Sequence, residues 1–542
     1  MNDKYLDGPF VFRINDNGSG PNLLVQVCVE RGWREYTGDN STLKDRWNLW
    51  WKSGGFSTTY YKNLLPGQFI NRIPKGSSIC KKDNLVRHLK CMRQIYGNIY
   101  DISPVGYNLP SEYTKLAADC SRSEKDERVW ICKPVGQSQG RGIFLFRRLS
   151  DLTYDSTAVV QRYIERPLLI GGYKFDLRLY VCVPSFKPLV IYIYNEGLAR
   201  FATQKFSLDN LSDPFRHLTN FALNKLGPGY SQKKERVGAG SKWSFRQLRR
   251  YMNQSGFHDW FLWQRIACLI TLTIISQTAG IPETSNCFEF FGFDVLIDAD
   301  LKPWLLEVNI SPALGNDCEV DSEVKKPLLH DLFDLLGLPV CNTGLSLFKI
   351  WSTTPNNKSI DNDYCASKYY KPRCSAKQSC KLNSNNAVTF VNICSNNRDV
   401  FRNSASAYEN YGNARYNFLC LEKNIRQRLN SAQKLNNNNS GTLVWDNGRD
   451  WSNPKIREGG WIRTYPFTNC KLLENVEFQH PVSTKETKTT EREIKNNVLS
   501  IQRFIKVAKD VHRDFGKYGD ERCNQLLRQE LELSSEIWLP NK

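Results

Sequence analysis

Residues 288–312 carry two apolar runs, FFGFDVLI and PWLLEVNI, on either side of the triplet Asp298, Ala299, Asp300. Apolar runs joined by so short a turn predict a β-hairpin. Centred between Asp300 and Leu301, the hairpin sets Asp294 opposite Glu307. Asn309, two residues on, projects from the same face as Glu307. Two carboxylates opposed in an apolar sheet repel unless something compensates them. A divalent cation would do so, and an all-oxygen set of Asp, Glu and Asn suits Mg²⁺ shared with phosphates better than zinc. A solvent-exposed acidic hairpin is the alternative; the apolar flanks argue for burial.

Period-two runs predict further strands upstream. VWICKPV (129–135) and IFLF (143–146) enclose the glycine loop GQSQGRG (136–142). That is a flap whose backbone amides can cradle phosphate, with Lys133 at its base. No GK[ST] opens a helix after it, so it is not a P-loop. In AVVQRYI (158–164), Gln161 and the backbone near Ile164 could read an adenine rim, although the run alone is only a buried strand. In GGYKFDLRLYVCV (171–183), Lys174, Asp176 and Arg178 share one strand face, as an ion-pair ladder or as part of a phosphate site. LVIYIYNEGLARFAT (189–203) predicts another hairpin, turning at Asn195, Glu196, Gly197, with Arg200 on the returning strand. HLTNFALNK (217–225) supplies Thr219 and Asn220, and His217 reads first as a satisfied core histidine.

Helical spacing appears at 81–97, where Leu85, Leu89 and Met92 form the apolar face of a basic helix. Helices are also expected at 241–252, 263–278 (buried), 324–336 and, amphipathic and cationic, 493–515. Trp47, Trp50 and Trp51 read as packing residues. Residues 227–240 are Gly/Lys-rich and expected to move; beyond 341 the Asn/Ser-rich runs are too polar for a core, with order returning at 459–467.

Composition narrows the function. The chain has 542 residues, enough for several domains, with net charge +19 and pI about 9.2. Residues 1–340 hold 43 Lys and Arg against 35 Asp and Glu, and the remainder 31 against 20, so the basic excess is denser in the second part. An acidic partner is implied. The seventeen cysteines include no CxxC pair, which argues for buried thiols in a reducing compartment rather than a disulfide framework or zinc ribbon. No signal peptide or membrane span is expected, and no nucleic-acid signature supports RNA binding.

Taken together, WICKP, SQGRGI, VVQRYI, YKFDLRLYV, EGLARFAT, HLTN and FEFFGFDVLIDADLKPWLLEVNISPAL resemble the tubulin tyrosine ligase-like family of ATP-grasp amino-acid ligases, and among them the polyglutamylating members. The resemblance covers roughly residues 10–340. It implies an α/β fold of the ATP-grasp type, with mixed and antiparallel sheets sandwiching ATP. The division would be an N-terminal α/β domain (1–95), a central lobe (96–170), a C-terminal lobe with the metal site (171–340) and a basic, largely disordered tail (341–542). ATP would lie against Lys133, the flap residues Gln139, Gly140, Arg141, Gly142 and Ile143, the stretch Gln161, Arg162, Tyr163 and Ile164, and Lys174, Asp176, Thr219 and Asn220. Asp294, Glu307 and Asn309 would ligate Mg²⁺. Arg178 and Arg200 would face the acyl-phosphate and the incoming amino acid, with Lys242 and Lys325 helping to bind free L-glutamate. The acceptor would be the acidic C-terminal tails of tubulin in microtubules, and the protein a cytoplasmic, cytoskeletal monomer, in cilia or flagella among other sites. A glycylating or tyrosinating ligase, or an inactive microtubule-binding protein, remains open on these grounds; the intact Lys133, Asp294, Glu307 and Asn309 speak against the last.

Overall fold

The computed structural model describes residues 10–18, 20–36, 47–65, 67–122, 128–154, 157–225, 242–284, 286–340, 449–467 and 491–542, all within one compact unit. The Gly/Lys-rich stretch expected to move and the Asn/Ser-rich runs lie outside the described residues.

Three sheets follow one another along the chain. The first is parallel, built from β1 (Val11–Ile14), β2 (Arg34–Glu35), β3 (Leu49–Trp51) and β4 (Phe69–Ile70) in the order β2-β1-β3-β4. Helix α1 (Asn22–Glu30) buries Leu23, Leu24, Val27 and Cys28. Trp47, Trp50 and Trp51 are core residues, as expected. After α2 (Thr58–Lys62), α3 (Lys82–Tyr96) buries Leu85, Val86, Leu89 and Met92 on one face. The second sheet is antiparallel: β5 (Gly106–Leu109), β6 (Trp130–Pro134), β7 (Phe144–Phe146) and β8 (Ala158–Arg162), in the order β5-β8-β6-β7, with α4 (Tyr113–Arg122) beside β5.

The third sheet carries the chemistry. Its strands are β9 (Leu169–Ile170), β10 (Tyr173–Phe186), β11 (Leu189–Tyr194), β12 (Leu198–Lys205), β13 (Lys242–Ser244), β14 (Glu289–Ile297), β15 (Pro303–Asn309), β16 (Arg457–Glu458) and β17 (Trp461–Tyr465). The predicted hairpin is β14 with β15, and Asp294 pairs with Glu307. The turn itself is one residue tighter than centring at 300/301 implies, since Ile297 pairs with Pro303; a bulge between Leu305 and Glu307 restores the register that opposes the two carboxylates.

The hairpin expected to turn at Asn195–Gly197 does not form. β11 and β12 lie end to end along the same long strand, β12 pairing with residues 173–178 of β10 and β11 with 181–186. What reads as a turn is a kink. The Glu196 carboxylate accepts from the backbone N–H groups of Phe245 (2.6 Å) and Arg246 (3.3 Å), and the Asn195 side chain donates to Asn541. The next helices are α5 (Pro214–His217), α6 (Phe221–Asn224), α7 (Phe245–Gln254), α8 (Trp260–Ile275) and α9 (Glu319–Leu335). α7 begins later than its spacing suggests because residues 242–244 join the sheet and Ser244 then caps the helix in a reciprocal box with Gln247. α8 is apolar on nearly every side and buried, packed between the sheet and α10 (Glu491–Phe515). α11 (Asp520–Glu530) follows.

The stretch beyond 341 is therefore not all tail. β17 pairs with β11, α10 covers α8, and the Trp538 indole donates to the Tyr194 carbonyl at 3.2 Å while the Gln264 amide donates to the Trp538 carbonyl at 3.0 Å. These segments supply apolar faces that the preceding sheet and helices need covered.

Candidate active site

A cavity of about 350 Å³ opens between the second and third sheets, within the size range of small-ligand pockets. Its lining includes Lys133, Gln139, Gly140, Arg141, Ile143, Gln161, Arg162, Tyr163 and Ile164 from the second sheet and its flap. From the other side come Lys174, Asp176, Thr219, Asn220, Asp294, Glu307 and Asn309. The flap backbone enters the left-handed region at Gln139 (φ 60°), Gly140 (φ 81°) and Gly142 (φ 67°). A Cβ on Gly140 would come within 3.1 Å of Asn220 Oδ1, so glycine there lets the flap close on the HLTN segment.

Strand register explains the charged floor. Asp176 pairs with Arg200 across β10 and β12, and Arg178 with Asp294 across β10 and β14. Arg178 donates to Asp294 at 2.5 and 3.0 Å; Arg200 donates to Asp176 at 2.8 and 2.5 Å and reaches Asp294 at 2.9 Å. The strand face is thus an ion-pair ladder and a cavity wall at once. Gly292 makes the crossing possible: a Cβ there would lie 2.8 Å from Pro312 and 3.2 Å from Arg178 Cδ. Arg178 and Arg200 are not in the cavity lining; they stand behind the carboxylates they neutralise.

This changes the electrostatic argument drawn from the hairpin. Burial pushes Asp294 up, but Arg178 and Arg200 outweigh it and hold the carboxyl well below its usual range. Glu307 is the less compensated partner: the Lys133 and Arg178 charges act on it without outweighing its burial. Among the described residues no cation lies within ion-pair distance of it, and burial and the Asp294 charge push its carboxyl up. The Asn309 amide nitrogen donates to Asp294 Oδ2 at 3.3 Å and to Glu307 Oε1 at 3.2 Å. The two carboxylates and, with its amide turned over, the Asn309 oxygen make a donor set that suits a hard divalent cation. Lys133 and Lys174 are pulled down, to about 8 and about 7, by burial foremost. Both line the cavity.

Lys133 donates to Gln161 Oε1 at 2.8 Å, so that side chain faces the ammonium. Lys242 and Lys325 are buried together outside the cavity lining, sharing Asp321 at 2.6 and 2.8 Å; Lys325 also donates to the Gly315 carbonyl. Lys242 pairs with Arg200 across the strands, which puts this cluster next to the ladder. Lys82 escapes the sequence reading, which assigns it to a solvated helix face. It lines the cavity and donates to the Gln137 carbonyl of the flap at 2.7 Å. Only the fold, which brings the start of α3 under the flap, reveals it. Arg72 is missed for the same reason. Buried, it donates to the carbonyls of Lys52, Ser53 and Gly54 and to Ser311 Oγ, two residues past Asn309.

Residues 61–344 match the tubulin-tyrosine ligase family. The chain belongs to that family. Over 369 residues it is 43% identical to the probable tubulin polyglutamylase TTLL2 of Mus musculus, covering 66% of this chain and 67% of that protein. Over 335 residues it is 44% identical to the Homo sapiens protein of the same name, covering 61% of this chain and 56% of the relative. The tubulin polyglutamylase TTLL5 of Homo sapiens is 39% identical over 332 residues, 59% of this chain but 25% of that longer protein. The expected ATP-grasp-like α/β architecture and ligase membership of this chain are thereby established.

Proposed function

We infer that this chain is an ATP-dependent ligase that joins free L-glutamate to glutamate side chains in the acidic C-terminal tails of tubulin. The observation that carries the reading is the single cavity in which Lys133, Lys174, the glycine flap and the Asp294–Glu307–Asn309 set converge. The relatives' names supply tubulin and glutamylation, and the net charge of +19 suits an acidic acceptor.

A carboxylate is a poor electrophile. ATP first phosphorylates the acceptor glutamate, the amino group of free glutamate then attacks the acyl-phosphate carbon, and phosphate leaves as the amide bond forms. In this reading Asp294, Glu307 and Asn309 would hold Mg²⁺, which would supply charge neutralisation for the transferred phosphate. Lys133 and Lys174 bind phosphate, and the flap excludes water from the reacting ends. Arg178 and Arg200 keep Asp294 ionised, and Arg200 holds Asp176 in place. Lys242 and Lys325, which share the Asp321 carboxylate, would help to bind the amino-acid substrate. The enzyme acts as a monomer on the cytoplasmic cytoskeleton, ciliary microtubules included.

Glu307→Gln tests the site. It removes the charge with little change in shape, so ATP-dependent incorporation of labelled glutamate into tubulin is expected to fall to background while the thermal unfolding transition stays cooperative. Incorporation at the wild-type rate by that variant would contradict the metal assignment.

A further inference from the structure

Tyr163 and His217 stand in the cavity wall beside Lys174. Lys174 Nζ donates to Tyr163 Oη at 2.8 Å and to the backbone carbonyl of His217 at 2.8 Å, which engages two of its three N–H groups. Tyr163 Oη lies 3.2 Å from His217 Nδ1, and His217 Nε2 lies 2.9 Å from the Asn210 carbonyl. A carbonyl only accepts, so Nε2 carries the proton and Nδ1 is the bare nitrogen. The Tyr163 hydroxyl then donates to Nδ1 and turns its lone pairs to Lys174. The ammonium also sits 4.4 Å from the centre of the Tyr163 ring. One order of protons satisfies the whole chain, and its far end is a cation whose third N–H has no protein acceptor among the described residues.

We propose that Tyr163 and His217 are positioning residues of the nucleotide site, fixing the Lys174 ammonium so that its remaining N–H meets a phosphate oxygen. The proposal rests on the nucleotide reading given above. The charged groups around the chain are Asp176 and Lys133 near Lys174, Glu165 near Tyr163, and Asp213 and Arg216 near His217. Protonating His217 makes Nδ1 a donor, and the Tyr163 hydroxyl must then swing its hydrogen toward the ammonium. Burial places that protonation below the ordinary 6.5, so nucleotide affinity falls on the acid side of it.

The experiment measures the Kd of Mg·ATP for the full chain by calorimetry as a function of pH, alongside kcat for glutamate incorporation. Tyr163→Phe is expected to weaken ATP about tenfold, the size of one hydrogen bond to a charged group, with the loss in Kd rather than in kcat and the acid fall gone. His217→Leu weakens it similarly, and His217→Gln, whose amide oxygen can accept from Tyr163, recovers most of that loss with a flat pH profile. Lys174→Met sets the full loss. Tyr163→Phe binding ATP within twofold of wild type while Lys174→Met binds poorly would overturn the proposal, as would an acid fall that survives in His217→Gln. A wild-type chain that binds no ATP would instead remove the nucleotide reading itself.

Discussion

Lys174 and Lys133 are lysines whose charge the fold disfavours. Burial holds them at about 7 and about 8, against an ordinary 10.5. Between those values and 10.5 the folded chain binds fewer protons than the unfolded one. The burden of these two buried lysines on stability is therefore fully present below about pH 7 and is relieved as pH rises through that window. Triphosphate reverses the preference, so ATP binding at pH 8.5 is expected to take up protons. Calorimetry in two buffers of different ionisation enthalpy reads this directly, and a binding heat independent of buffer would contradict it. Arg200 carries the opposite lesson: it pairs with both Asp176 and Asp294 in a buried setting. Removing one member of such a network strands its partners, so Arg200→Ala is expected to lose about 3–5 kcal/mol of stability in urea unfolding.

At the scale of elements, the kink between β11 and β12 controls how the ladder meets α7. A Cβ on Gly197 would run into the Phe245 ring and lie 2.6 Å from the Arg178 carbonyl. Gly197→Ala is expected to cost about 1–3 kcal/mol through overpacking, read as a lowered unfolding midpoint. The β14–β15 hairpin was legible from its apolar runs and short turn; Asp294 does oppose Glu307, but through a tighter turn offset by a bulge at Leu306 that the run pattern does not mark. The Asn195–Gly197 turn misled because local composition marks a break in a strand without saying whether the chain reverses; here Glu196 caps another element instead. Lys82 and Arg72 were illegible for a related reason. Nothing in its own segment marks either one out, and each acquires a role only through partners 55 and 239 residues away.

For the whole molecule, the Asn/Ser-rich interval hid the fact that the last segments complete the core. Trp538 is buried against Tyr194 and Trp263, so Trp538→Ala is expected to cost about 3–5 kcal/mol, measured against wild type in denaturant. A chain ending at 340, which lacks β17 and α10, is expected to give no cooperative unfolding transition. The basic excess acts at longer range. Association with acidic tails driven by it weakens with salt, because exposed charges are screened beyond about 10 Å at 0.1 M ionic strength. The most direct measurement supplies the full chain with ATP, Mg²⁺, tubulin and labelled glutamate, glycine or tyrosine in parallel. Glutamate alone entering the tubulin tails, and only with ATP, is the predicted result. Incorporation of glycine or tyrosine instead, or glutamate incorporation without ATP, would contradict the account.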